Sequence, residues 1–126
     1  MKVIIAGGRD FNDYDLLKIK CDRILQNQDE VIIISGGAKG ADSLGERYAK
    51  DKGYTIDLFP AKWDEYGKKA GPIRNEEMAN NADSLIAFWD GNSKGTKHMI
   101  DTATNKGLSV RVIEYKRGWG LIVPGV

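Results

Sequence analysis

Five short runs of apolar, mostly β-branched residues, at 3–6, 31–35, 55–59, 85–89 and 110–113, alternate with stretches of helical period. That alternation narrows the folds open to this chain more than any other feature. Runs of this length bounded by Gly, Asp or Ser read as strands. Their apolar character is nearly continuous rather than alternating, which suits strands covered on both faces, and such strands are mostly parallel. The first helix is expected over 13–28, with Leu16, Leu17, Ile19, Ile24 and Leu25 as its apolar stripe and Asp13 as its cap. A second spans 41–52, with Leu44, Tyr48 and Ala49 on one face and Gly53 closing it. A third starts near Pro72 and carries Ile73, Met78 and Ala82, and a fourth spans 96–106 and stops at Gly107. The architecture that follows is a three-layer α/β fold with right-handed crossovers around a five-stranded, mostly parallel sheet of order 3-2-1-4-5. In that order the loops after the first and fourth strands flank the point where the connections reverse, which is where open parallel sheets take ligands.

At 126 residues the chain is expected to form a single domain, 1–126, with its core in 1–115 and an apolar tail, 116–126, that packs on a helix or on a second subunit as a homo-oligomer. Cys21 is the only cysteine, which leaves no internal disulfide and no Cys-rich zinc cluster and suits the cytoplasm. Nineteen Lys and Arg against eighteen Asp and Glu give a net charge of +1, so no overall field favours nucleic acid or membrane, and a basic site must be local. The apolar run beginning at Val3 is too short for a signal peptide, and no stretch approaches the roughly 20 apolar residues of a membrane span.

Glycines gather after the first, second and fourth strands, each time before a helix: Gly7-Gly8-Arg9-Asp10, Ser35-Gly36-Gly37-Ala38-Lys39-Gly40-Ala41-Asp42, and Asp90 through Gly95 and Thr96. Glycine lets backbone approach a ligand, and a helix start offers unpaired N–H groups with partial positive charge. Three such loops on one sheet edge point to a nucleotide-sized anion, although each alone serves equally well as a plain turn. Neither standard fingerprint fits. Lys39 precedes Gly40 where a Walker loop needs Gly-Lys followed by Ser or Thr, and Gly7-Gly8-Arg9 lacks the third glycine of the dinucleotide motif. Arg9 and Lys39 can meet phosphate, and Asp10 and Asp42 can either accept from ribose hydroxyls or cap helices. Arg74 opens a helix, where positive charge is mildly unfavourable and calls for an anion or a local acid. In the expected loop 61–71, Trp63 or Tyr66 can stack a base beside Lys62, Lys68 or Lys69, or simply cover the core edge. His98 has no second His or Cys at ligand spacing, so no metal site and no Ser-His triad is expected, and it reads as an ordinary surface or core histidine.

The run Ser35 to Asp42 after a strand, then Arg74-Asn75 leading a helix, then a strand and Gly95-Thr96, resembles the SLOG superfamily, particularly its YspA-like branch. The resemblance covers about Met1 to Ile113. It implies a Rossmann-like fold that holds nucleotides or nucleotide-derived ligands, with phosphate and ribose at the glycine-rich loops. Two related groups frame the alternatives. The resemblance to the LOG phosphoribohydrolases matches their helix-leading arginine to Arg74, but their glutamate falls on Met99, which can serve neither as base nor as charge stabiliser. The resemblance to the DNA-processing protein A family implies single-stranded DNA, for which the balanced charge is unfavourable. The expected function is therefore binding of a small nucleotide-like ligand, as in a sensor, with no cofactor and no assigned catalytic residue. The ligand is expected to meet Gly7, Gly8, Arg9, Asp10, Ser35, Gly36, Gly37, Lys39, Gly40, Asp42, Arg74, Asn75, Asp90, Gly95 and Thr96. Nucleoside-monophosphate hydrolysis and single-stranded DNA binding are the alternatives.

Overall fold

The computed structural model describes residues 1–116, so the apolar tail falls almost wholly outside the described residues. The elements run β1 (Lys2–Gly7), α1 (Tyr14–Leu25), β2 (Ile32–Ser35), α2 (Ala41–Lys52), β3 (Thr55–Leu58), α3 (Trp63–Tyr66), a single 3₁₀ turn (Gly67–Lys69), α4 (Ala70–Asn80), β4 (Ser84–Trp89), α5 (Lys94–Asn105) and β5 (Ser109–Glu114). All four strand pairings are parallel, and the order is β3-β2-β1-β4-β5. This is the three-layer, Rossmann-like α/β arrangement expected from the alternation of runs.

Each central strand feeds two cores because successive side chains point to opposite faces. Val3 and Ile5 of β1, Ile33 of β2, and Ile86 and Phe88 of β4 meet Leu17, Cys21 and Leu25 of α1 and Tyr48 and Ala49 of α2. The residues between them, Ile4, Ala6, Ile34, Leu85 and Ala87, meet Met78 and Ala79 of α4 and Met99 and Ala103 of α5. That double demand is why the strands read as continuous apolar runs, and each large side chain so buried contributes about 1.5–3 kcal/mol.

The expectation of full cover fails at the sheet margins, where Leu58 of β3 and Val112 of β5 are 54% and 41% exposed. An edge strand has a neighbour on one side only, and both helical layers pack chiefly over β1, β2 and β4. In α1, Asp13 caps as expected, its Oδ1 accepting from Leu16 N at 3.0 Å. The helix ends three residues earlier than expected, and Ile19 does not belong to the buried stripe. Leu17, Cys21 and Leu25 form the inward row four residues apart, which leaves Ile19 about half a turn away on the solvent side.

Residues 61–71 are not the long loop expected. They hold α3 and a 3₁₀ turn, and α4 begins at Ala70 rather than at Pro72. Pro72 is the third residue of that helix, where its missing N–H removes no intrahelical bond. Gly53 and Gly107 do end their segments with φ of 76° and 82°, the left-handed turn that glycine adopts without strain.

Candidate functional site

A cleft of about 680 Å³ opens at the carboxyl ends of β1 and β4. It lies where the chain, having run outward from β1 through β2 to β3, returns to the other side of β1 as β4. Its walls come from Ala6 and Gly7 at the end of β1 and residues 8–10 after it, Ala38 before α2 and Asp42 in its first turn, Asp90, Asn92 and Ser93 after β4, Trp63 of α3, and the inner faces of α4 and α5.

The first two loops brace each other. Gly8 O accepts from Phe11 N at 3.2 Å and from Ala41 N at 3.1 Å, so the loop after β1 sits directly on the start of α2. Gly40, with φ 75° and ψ −125°, makes this approach tolerable. A Cβ there would lie 2.5 Å from Arg9 O and closer still to Gly8 O. The β2–α2 loop is also bonded internally. Ser35 Oγ accepts from Gly37 N at 3.1 Å and donates to Glu46 Oε2 at 2.7 Å. Asp42 Oδ2 accepts from Ala38 N at 3.1 Å. Burial pushes the Asp42 carboxyl above its ordinary range, while the Ala38 amide and the nearby Arg74 charge pull against that shift.

After β4, Asp90 Oδ1 accepts from Asn92 N and Ser93 N, both at 2.8 Å, and Trp89 Nε1 donates to Ser93 O at 3.1 Å. Ser93 then caps α5, its Oγ accepting from Thr96 N at 3.3 Å. This places the N-terminal turn of α5, with its partial positive charge, against the cleft. Gly95 lies on that turn, and a Cβ there would meet no atom within 4 Å.

Arg74 crosses from α4 to the β2–α2 loop. Its Nη1 donates to Gly36 O at 2.7 Å and its Nε to Asn75 Oδ1 at 3.1 Å. Asn75 Nδ2 in turn faces His98 Nδ1 of α5 at 3.1 Å. Gly36 is small because the guanidinium lies on it: a Cβ would stand 2.8 Å from Arg74 Cζ and 2.9 Å from Asp42 Oδ2. Burial lowers the Arg74 pKa from its usual value, and the Asp42 charge opposes that change.

Of the residues expected at the site, Gly7, Gly8, Arg9, Asp10, Asp42, Arg74, Asn75, Asp90, Gly95 and Thr96 line this one cleft. Ser35, Gly36, Gly37, Lys39 and Gly40, also expected to meet the ligand, do not line it. Trp63 reaches the wall, whereas Lys62, Tyr66, Lys68 and Lys69 do not. The sequence reading placed Lys94 within the run 90–96 without a role of its own, and it missed Met78 and Met99 as apolar lining and His98 as a wall residue. A usable signal existed: Gly95, His98 and Met99 are three and four residues apart, so a helix starting near Lys94 shows them on one face. The lining cations Arg9, Arg74 and Lys94 stand among the acids Asp10, Asp42 and Asp90. No group of three or more His, Cys, Asp or Glu residues that could hold a metal occurs among the described residues. No helix among them is long and apolar enough to cross a membrane.

Comparison with known proteins bears on the family and the fold. The family model described as "YspA, cpYpsA-related SLOG family" matches residues 1–66. The Gene 61 protein of Mycobacterium phage D29 is 34% identical over 119 residues, covering 86% of this chain and 93% of that protein. Among solved structures, DNA processing protein A from Streptococcus pneumoniae superposes with a TM-score of 0.72 at 21% identity. That match covers 98% of this chain but 52% of the other, so the chain spans about half of that protein's length. The structural-genomics target titled TM1055 gives a TM-score of 0.67 at 20% identity, covering 99% of this chain and 81% of that one. At these identities the structural matches establish a shared fold.

Proposed function

Because the chain belongs to the YspA, cpYpsA-related SLOG family, we propose that it binds a nucleotide or nucleotide-derived ligand in the cleft between β1 and β4. The observation that carries the reading is the meeting of three cations, the N-terminal turn of α5, and the half-exposed indole of Trp63 around one opening floored by the core residues Met78 and Met99. A phosphate suits the first two, and a base and sugar suit the third. The anion belongs at the α5 turn and Arg9, while the Gly36–Gly40 loop supports the site from behind by holding Arg74. Asp10 and Asp90 line the same opening, where a carboxylate can accept from a sugar hydroxyl beside the bonds it already makes. Balanced charge in the lining favours a small ligand over a tracked nucleic-acid backbone. Met99 is 1% exposed and packed with Leu85 and Ala103, so hydrolysis through a carboxylate at that position forms no part of the reading.

A thermal-shift screen with AMP, ATP, cyclic nucleotides and ADP-ribose tests it. A ligand at 100 times its dissociation constant adds about 2.7 kcal/mol, which at this size raises the melting temperature by several degrees. Gly95→Phe should abolish the shift without altering the unliganded melt, since Gly95 lines the cleft and a Cβ there meets no protein atom within 4 Å. Stabilisation by no nucleotide, or an equal shift in Gly95→Phe, defeats the proposal. The same panel, assayed for free base, would detect turnover.

A further inference from the structure

The chain has one histidine, and the cleft fixes more about it than its position. Arg74 Nε is only ever a donor, so the Asn75 atom that it meets at 3.1 Å must be the carbonyl oxygen. Asn75 is 6% exposed, and with its oxygen turned to Arg74 its amide nitrogen is directed at His98 Nδ1. That nitrogen too can only donate, so His98 Nδ1 must accept. A neutral imidazole that accepts at Nδ1 carries its proton on Nε2.

The other ring nitrogen is equally defined. His98 Nε2 has no hydrogen-bond partner among the described residues, and no side-chain nitrogen or oxygen buried from solvent is left unsatisfied there. Nε2 is therefore open to solvent, on a side chain that lines the cleft. Lys97, one residue before it, is turned away and paired with Asp101 at 2.8 Å.

We infer that Asn75 is a positioning residue that holds His98 as its Nε2–H tautomer, so that the α5 wall presents one fixed donor to a hydrogen-bond acceptor on the ligand. The inference rests on the nucleotide reading only for the identity of that ligand. The acceptor is a carbonyl oxygen, an unprotonated ring nitrogen or a phosphoryl oxygen, and a ligand offering an N–H at that point leaves two donors facing each other. The tautomer is set at a distance: Arg74, anchored on Gly36 O, orients the Asn75 amide, and that amide orients the imidazole. This arrangement gives the half-buried Arg74 two tasks, bracing the β2–α2 loop and choosing the face that His98 shows.

Because His98 is the only histidine, a long-range ¹⁵N–¹H spectrum of protein labelled at histidine reports it alone. The unliganded protein at pH 8 should show an unprotonated Nδ1 and a protonated Nε2. Asn75→Asp, nearly the same in shape but able only to accept, should move the proton onto Nδ1. A wild-type spectrum with Nδ1 protonated, or an Asn75→Asp spectrum unchanged from wild type, overturns the inference without reference to any ligand. Where AMP raises the melting temperature, its addition should shift Nε2 far more than Nδ1, and His98→Gln, which keeps a donor at similar reach, should retain more affinity than His98→Phe. AMP stabilisation with an unmoved Nε2 refutes the donor role, whereas failure of every nucleotide to stabilise refutes the functional reading and leaves the tautomer to the unliganded spectra.

Discussion

Two glycines three residues apart in the β2–α2 connection should respond very differently to a single added methyl group. Gly37 and Gly40 both have positive φ, 74° and 75°. At Gly37 a Cβ meets nothing within 4 Å, so Gly37→Ala bears only the conformational penalty, about 1–2 kcal/mol. At Gly40 the same methyl falls 2.5 Å from Arg9 O and closer to Gly8 O, and backbone of a neighbouring loop cannot swing aside as a side-chain tip can. Relief requires parting the loop after β1 from α2 and stretching the Ala41 N to Gly8 O bond of 3.1 Å. Overpacking of this kind adds about 1–3 kcal/mol to the conformational term, so Gly40→Ala should lose about 2–5 kcal/mol in all. Against a typical total of 5–15 kcal/mol that is a large share, on the order of 10–20 °C in melting temperature at this chain length. Denaturant unfolding followed by far-UV circular dichroism measures both variants on one scale. Equal losses would refute the reasoning, because they would mean that the two loops do not brace each other and that conformation alone explains both glycines.

Three further outcomes follow from the same structure. Gly36→Ala should displace Arg74 and remove its bond to Gly36 O, a charged hydrogen bond worth about 1.5–3 kcal/mol, and should add little on top of Arg74→Ala; additive losses in the double variant would contradict the contact. Tyr48 is fully buried, and its hydroxyl donates to Asp22 Oδ1 at 2.7 Å, which with Lys52 holds that carboxyl below its usual pKa. A carboxyl lowered in the folded state stabilises above its unfolded pKa of about 3.9 and loses that contribution as pH falls, so the deficit of Tyr48→Phe should be full at pH 7 and shrink at pH 3; a deficit independent of pH counts against the pairing. Cys21 is fully buried, and burial pushes its thiol up to about 12, so a thiol reagent at pH 8 should modify it only as fast as the protein unfolds, and rapid native labelling would show α1 packed otherwise.

Much of the cleft was legible because its framework obeys local rules. Gly7 and Gly8 stand at the end of a strand, and Asp90, Gly95 and Thr96 in a glycine-bearing run between a strand and a helix, although that helix starts at Lys94, two residues before the expected 96, with Ser93 as its cap. His98 was not legible as a wall residue, since its meaning depends on an amide from another helix. The same limit applies to Gly36. From sequence it reads as a residue giving a ligand access, whereas its space is taken by Arg74, thirty-eight residues along the chain. In 61–71 the run of charges and aromatics carries no apolar period, and the helical path seen there goes with burial of Ala70 and with Trp63 lying over Gly71, where a Cβ would stand 3.5 Å from the indole.

What the sequence by itself determined is the alternation of buried strands and amphipathic helices, with glycine and capping residues marking the turns; the order 3-2-1-4-5 came from general topology rules applied to that alternation, and the structure shows it. Those features depend on residues a few positions apart, and hydrophobic periodicity records them directly. The tertiary structure alone decided which side chains share a wall, which glycines make room for protein, and which nitrogen of His98 carries the proton. Each of these is settled by a donor, an acceptor or a steric boundary from a distant segment, and no local pattern of residues encodes that meeting.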